Sequence, residues 1–162
     1  MALLFKNLLF TVLVPGTVGV YVPLWIAQGR TVGSGFPFTA ACVLLVLGFS
    51  IYVSTVWSFA AYGRGTPAPI DAPRKLVVRG LYRFSRNPMY VGVLTVIVGW
   101  ASLFCAPVLL LYAGGLGCCF QGFIVFYEEP HLAGLFGSQY ADYREKVPRW
   151  LLRLSPRRSA AA

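Results

Sequence analysis

Negative charge is scarce in this sequence. Five Asp and Glu stand against fourteen Lys and Arg among 162 residues, and charged residues of either sign make up 12%, about half the share of an ordinary soluble domain. With 57% of the residues hydrophobic, so little charge excludes a water-soluble fold of this size and makes a lipid bilayer the natural solvent. Histidine occurs once, as His131, without the partners a ligand set needs, so no metal site is expected. The four cysteines, Cys42, Cys105, Cys118 and Cys119, lie inside apolar runs with no CxxC spacing. That pattern supports neither a zinc site nor a disulfide framework and leaves small buried thiols. Gly115-Leu-Gly117 opens a GxGxxG-like string that has no third glycine and no preceding strand, so a dinucleotide fold is not indicated.

What is present is long uncharged sequence. Asn7–Gly29, Thr31–Gly63 and Asn87–Tyr127 carry no charge, and a helix crosses the hydrocarbon core in about 20 residues. The first run predicts a span over 4–26, with Pro15 and Gly16 as a kink. It begins like a signal peptide after Lys6, yet runs on without a small-residue cleavage site, which predicts a retained span. In the second run Gly33–Pro37 reads as a loop, leaving a span over 38–62. The third run would extend about 60 Å as one helix, twice the hydrocarbon thickness. It must fold back at Cys105-Ala106-Pro107, giving spans 88–104 and 107–127. The expected fold is therefore all-α, an integral membrane protein of about four transmembrane helices. The last two form a tight hairpin, all within one domain over 1–162. Gly114, Gly115, Gly117, Cys118 and Gly122 recur at helical spacing and predict close packing against a neighbouring helix.

The basic residues orient these spans. With the N-terminus inside, thirteen of the fourteen fall on the inner side and only Arg30 outside, a strong positive-inside asymmetry. All five acids fall inside as well. Because the basic residues flank apolar runs, the bilayer is the expected partner and nucleic acid is not. The segment Gly63–Lys75, with Pro67, Pro69 and Pro73, reads as a linker or lid, and equally as a plain connector. After the last span, Leu132, Leu135, Phe136, Tyr140, Tyr143, Val147, Trp150, Leu151 and Leu154 approximate a helical apolar stripe. It predicts a cytoplasmic amphipathic segment that lies on the membrane surface, caps a pocket, or both. Ser155–Ala162 reads as a disordered tail.

Two stretches carry chemistry. In Arg86-Asn87-Pro88-Met89-Tyr90-Val91-Gly92, Pro88 suits the first turn of the third span. Arg83 and Arg86 sit three apart, so a helical turn would aim both guanidinium groups at one anion. The bland alternative is an interfacial anchor of arginine and tyrosine, the reading that best suits Arg74 and Lys75. In the second stretch, Glu128 and Glu129 stand where an apolar helix would end, at the unfavourable pole of its dipole. Such a placement calls for compensating arginines or a bound cation, unless the pair merely begins a solvated helix. His131 reads as structural.

In these residues the chain resembles the isoprenylcysteine carboxyl methyltransferase and phospholipid methyltransferase superfamily of integral membrane enzymes. Their pattern runs Arg-His/Asn-Pro-x-Tyr-x-Gly, a hydrophobic hairpin, Glu-Glu, Phe-Gly-x-x-Tyr-x-x-Tyr and Val-Pro. Here it appears as Arg86-Asn87-Pro88-Met89-Tyr90-Val91-Gly92, Glu128-Glu129, Phe136-Gly137-Ser138-Gln139-Tyr140-Ala141-Asp142-Tyr143 and Val147-Pro148, in order. The resemblance implies a methyltransferase whose cofactor, S-adenosyl-L-methionine, lies in a region over about 80–150. Arg86, Asn87, Pro88, Tyr90, Gly92, Glu128, Glu129, Tyr140 and Tyr143 are the candidate cofactor-binding residues, and Arg83 and Glu129 the candidate catalytic pair. A cytoplasmic site at the interface would let a soluble cofactor meet a lipid-like or prenylated acceptor in the plane of a bacterial inner membrane or the endoplasmic reticulum. Asn87 stands where the prenylcysteine enzymes commonly have histidine. Gln121–Tyr127 lacks the arginine they tend to carry, which leaves a prenylcysteine carboxylate, an amine, a phenol or another lipid group open as acceptor. The competing readings are an NADPH-dependent membrane sterol or lipid reductase and a non-enzymatic scaffold. The scaffold leaves Arg86, Glu128 and Glu129 unexplained.

Overall fold

A computed structural model describes Leu9, residues 11–63 and residues 75–150. Lys6, Arg64, Arg74, the three prolines of the 63–75 segment, Leu151, Leu154 and the 155–162 tail lie outside these residues. The described residues are all-α: helices and turns with no strand. Four apolar helices carry the fold, α1 (Thr11–Ile26), α2 (Phe36–Tyr62), α3 (Pro88–Leu103) and α4 (Pro107–Phe136). A short α5 (Ser138–Lys146) follows.

Proline and glycine set the helix limits. Pro37, Pro88 and Pro107 each occupy the first turn of a helix, where the missing N–H has no intrahelical partner to lose. The hairpin between α3 and α4 turns at Cys105-Ala106, as the sequence predicts. Cys105 takes φ 45°, a left-handed conformation that costs a non-glycine residue about 1–3 kcal/mol. The turn is held because Ala106 packs into an apolar cluster with Ala27, Ala101 and Leu109, while the Gly33 N–H donates to the Leu103 carbonyl at 2.7 Å. In α1, Pro15 and Gly16 lead into a widened turn at Thr17–Tyr21. There the Val18 carbonyl accepts from the Tyr112 hydroxyl at 2.9 Å and the Gly19 carbonyl from Trp100 Nε1 at 3.0 Å, tying α1 to the hairpin.

The tightest packing lies between α2 and α3. A Cβ on Gly48 would sit 2.8 Å from both the Gly92 carbonyl oxygen and the Val96 nitrogen, and one on Gly99 would sit 2.9 Å from Leu45. Small residues let the backbones touch, which is how apolar helices associate without a hydrophobic driving force. The packing expected of the α4 glycines is not found. A methyl group added at Gly114, Gly115 or Gly122 would have nothing within 4 Å, and one at Gly117 would meet only Leu94 at 3.8 Å. The small stripe of α4 therefore faces away from the other described helices.

Two helices, α2 of 27 residues and α4 of 30 residues, are long and apolar enough to cross a membrane. Their outer faces expose Trp57, Leu111 and Phe126. At 1.5 Å per residue α4 is about 45 Å long, well beyond a hydrocarbon core of about 30 Å. It does not stop at Tyr127, where the expected span ends. It passes through a second widened turn at Ile124–Glu128 and continues to Phe136, breaking only at Gly137 (φ 51°).

Candidate active site

The two chemical stretches meet at one end of the bundle, opposite the hairpin turn. A strap of the C-terminal segment brings them together. Arg86 N–H donates to the Pro148 carbonyl at 2.9 Å. The Arg149 carbonyl accepts from Ser85 Oγ at 3.1 Å and from Asn87 Nδ2 at 3.2 Å. Ser85 Oγ in turn accepts the Asn87 N–H at 3.3 Å. Ser85, Asn87 and Pro88 are all buried, so these bonds satisfy groups that would otherwise be stranded from water. The Asn87 amide thus joins two backbone segments.

Glu129 is the hub. Its Oε1 accepts from Arg86 Nη1 at 2.9 Å and from Arg149 Nε at 2.8 Å, and its Oε2 accepts from Arg149 Nη2 at 3.0 Å. Arg144 stands at 3.8 Å. The Glu129 side chain is 8% exposed and that of Arg86 11%. Burial by itself would raise the Glu129 pKa. The Arg149 hydrogen bonds and the charges of Arg86, Arg149 and Arg144 outweigh it and hold the carboxyl below its ordinary range. The helix-end dipole penalty expected of these glutamates does not arise, because α4 continues past them. The arginines are the compensation, and they answer Glu129 alone.

Glu128 has a different environment. Its Oε2 accepts from the Tyr90 hydroxyl at 3.0 Å, its one hydrogen bond among the described residues. Burial pushes its carboxyl above the ordinary range and the neighbouring Glu129 charge adds to this, against the Tyr90 bond. Around it, the Tyr90 ring lies 4.5 Å from Phe120 and 6.4 Å from Trp150. Trp150 Nε1 donates to Gln121 Oε1 at 2.6 Å. Two adjacent carboxylates are thereby driven apart: one ion-paired, one held in an aromatic setting.

Of the candidate residues, Arg86, Asn87, Pro88, Tyr90, Glu128, Glu129 and Tyr140 gather here, with the Tyr140 hydroxyl beside Arg86. Three do not join the cluster. Arg83 ends a short turn at Gly80–Arg83, is exposed and makes no ion pair among the described residues, because the chain leaves helical geometry before Arg86. Gly92 is buried in the α2–α3 seam, where a Cβ would meet the Gly48 carbonyl at 3.0 Å, so its structural role is packing. Tyr143 donates its hydroxyl to the Tyr82 carbonyl at 2.7 Å in a buried bond. Tyr140, Tyr143 and Val147 pack with Leu76, Leu132 and Phe136, so much of the predicted amphipathic stripe is buried in protein. Sequence reasoning missed Arg149, Trp150 and Gln121. For Arg149 and Trp150 the available signal was the helix-breaking Val147-Pro148 followed at once by an arginine and a tryptophan. His131 stacks on Tyr127 at 5.9 Å.

The sequence is similar to known proteins. The family model for phospholipid methyltransferase matches residues 36–139. Protein-S-isoprenylcysteine O-methyltransferase B of Arabidopsis thaliana is 35% identical over 74 residues, 46% of this chain and 38% of that protein. Protein-S-isoprenylcysteine O-methyltransferase A of the same plant is 38% identical over 72 residues, 44% of this chain and 36% of that protein. A probable protein-S-isoprenylcysteine O-methyltransferase of Oryza sativa subsp. indica is 34% identical over 73 residues, 45% of this chain and 38% of that protein. The matched part of the chain thus spans less than two fifths of these relatives. No solved structure matches significantly.

Proposed function

We propose that this chain, which belongs to the phospholipid methyltransferase family, is an S-adenosyl-L-methionine-dependent methyltransferase of the membrane that acts on a lipid-like or prenylated acceptor. One observation carries the reading. Arg86 and Glu129, 43 residues apart, meet at 2.9 Å, so the two family stretches form one polar site at the end of an apolar bundle. The names of the relatives make an isoprenylcysteine carboxylate one candidate acceptor. The same reading gives α1 to α4 as four spans, with α4 leaving the hydrocarbon before Glu128 and the Arg86–Glu129 end on the cytoplasmic side.

The residues suit the cofactor. Arg86 Nε is buried and has no hydrogen-bond partner among the described residues; an unsatisfied buried donor costs about 1–3 kcal/mol. Three arginines surround one carboxylate, so the cluster holds excess positive charge for the cofactor's carboxylate. Glu128 has spare acceptor capacity for its ammonium or ribose hydroxyls. The faces of Tyr90, Phe120 and Trp150 favour a sulfonium cation. When bound, S-adenosyl-L-methionine supplies an activated methyl group for in-line displacement. The protein's part is orientation and exclusion of water. Arg86 and Glu129 fix one end of the site, Tyr90 and Glu128 the other, and the strap of residues 147–150 covers the base of α3.

Calorimetry on the full chain in lipid nanodiscs tests this. Micromolar affinity for S-adenosylhomocysteine and none for NADPH is the expected result. Binding of NADPH alone, or of neither, overturns it.

A further inference from the structure

We propose that Arg149 is a positioning residue of this site: its guanidinium fixes the Glu129 carboxylate and its carbonyl fixes the Ser85–Asn87 loop, so that Arg86 keeps one buried N–H free for an anionic group of the methyl donor. A guanidinium is a planar fork that matches a carboxylate in a bidentate pair. Arg149 makes that pair, through Nε at 2.8 Å and Nη2 at 3.0 Å. Arg86 makes only a single bond to Glu129, through Nη1. Its Nε is buried without an acceptor among the described residues.

The Nε–H of a guanidinium shares a fork with Nη2 and not with Nη1, so the Arg86 contact to Glu129 through Nη1 leaves that N–H out of the pair. With Arg149 occupying both oxygens, the second arginine is held in a one-armed contact and its spare donor survives. The backbone acts to the same end. The Arg149 carbonyl takes Ser85 Oγ and Asn87 Nδ2, which sets the residues on either side of Arg86. One residue therefore locks the loop before α3 against the far end of α4. Lysine does not substitute for it, being a point charge without the fork.

Glu129 is faced by Arg86 from the loop before α3, by Glu128 on its own helix, by Tyr140 and Arg144 from α5, and by Arg149 from the strap. Arg149 makes more bonds to it than any other. Its removal is expected to shift the Glu129 titration upward, since the hydrogen bonds that favour the ionised form are lost. The role toward the methyl donor rests on the function proposed above; the role toward Glu129 does not.

The chain has three glutamates, Glu128, Glu129 and Glu145, so carbon-13 carboxyl labelling gives a spectrum that an E129Q variant assigns. The full chain in nanodiscs is titrated as wild type, R149K and R149Q, with S-adenosylhomocysteine affinity measured alongside. We expect the Glu129 midpoint to rise in both variants. Affinity falls at least tenfold in R149Q and less in R149K, and the R149Q loss disappears on an E129Q background. If R149Q does not fold, R149K alone decides. An unchanged Glu129 midpoint in R149K, wild-type affinity in both variants, or losses that add to those of E129Q each overturn the proposal. Should the wild type fail to bind S-adenosylhomocysteine, the functional reading and the donor half of the proposal fall together. The glutamate titration then still decides whether Arg149 fixes Glu129.

Discussion

Replacing Glu129 by Gln removes the single negative charge that the arginines share while keeping the size of the side chain. The native carboxylate accepts three bonds, at 2.9, 2.8 and 3.0 Å, and each charge-assisted bond contributes about 1.5–3 kcal/mol. Their simple sum overshoots, because the bonds share one carboxylate and Arg149 is 29% exposed, where solvent screens the pair. Breaking a buried pair from one side costs about 3–5 kcal/mol. Partial exposure places Glu129→Gln at the low end, about 3 kcal/mol on that scale. Equilibrium unfolding of the full chain in mixed micelles measures it, and S-adenosylhomocysteine affinity should fall more than tenfold, or about 1.4 kcal/mol. Acid makes the same change without a mutation. The Glu129 carboxyl is held below its ordinary range in the folded chain, so its stabilisation is complete above the unfolded carboxyl pKa and is lost as pH falls through the lowered folded value. The advantage of wild type over Glu129→Gln must therefore shrink across that acidic window. A stability loss below about 1 kcal/mol, the size of one ordinary hydrogen bond, together with unchanged affinity, refutes the hub.

Four further outcomes follow from the packing and the buried hydrogen bonds. Gly48→Ala puts a methyl 2.8 Å from two backbone atoms of α3 and should cost about 1–3 kcal/mol. Gly115→Ala, which meets nothing, should change stability by less than about 0.5 kcal/mol; thermal midpoints in detergent separate the two. Tyr90→Phe strips the half-buried Glu128 of its hydrogen bond among the described residues, a loss of about 1–3 kcal/mol read as a lowered Tm and weaker S-adenosylhomocysteine binding. Tyr143→Phe loses the buried 2.7 Å bond to the Tyr82 carbonyl. It should lower stability by about 1 kcal/mol while leaving that affinity nearly unchanged, which separates a structural bond from a cofactor contact.

Charge placement made much of the fold legible along the chain. An uncharged run too long for one helix, with Cys105-Ala106-Pro107 at its middle, demands a hairpin, and the proline fixes where α4 starts. Local rules placed Pro88 and the Pro15–Gly16 irregularity for the same reason: each depends on backbone groups within a few residues. The glycines were the opposite case. Helical spacing marked Gly114 to Gly122 as a packing face, yet the seam forms at Gly48, Gly92 and Gly99, because spacing states which residues share a face and not which face finds a partner.

The amino-acid order by itself determined that the protein is helical, suited to a bilayer, and polar at two distant stretches that carry the family pattern. Which charges meet was decided only in three dimensions. Glu129 takes Arg86 and Arg149 while its neighbour Glu128 takes Tyr90, a division that adjacent identical residues cannot display in one dimension. Successive positions on a helix point about 100° apart, so the two carboxylates enter different surroundings, one cationic and one aromatic. Arg149 became visible as part of the site only when the strap folded back onto the loop before α3, since its partners lie 20 and more than 60 residues away. Ion pairing depends on distance in space, and that distance is set by the packing of α3 against α2 and α4.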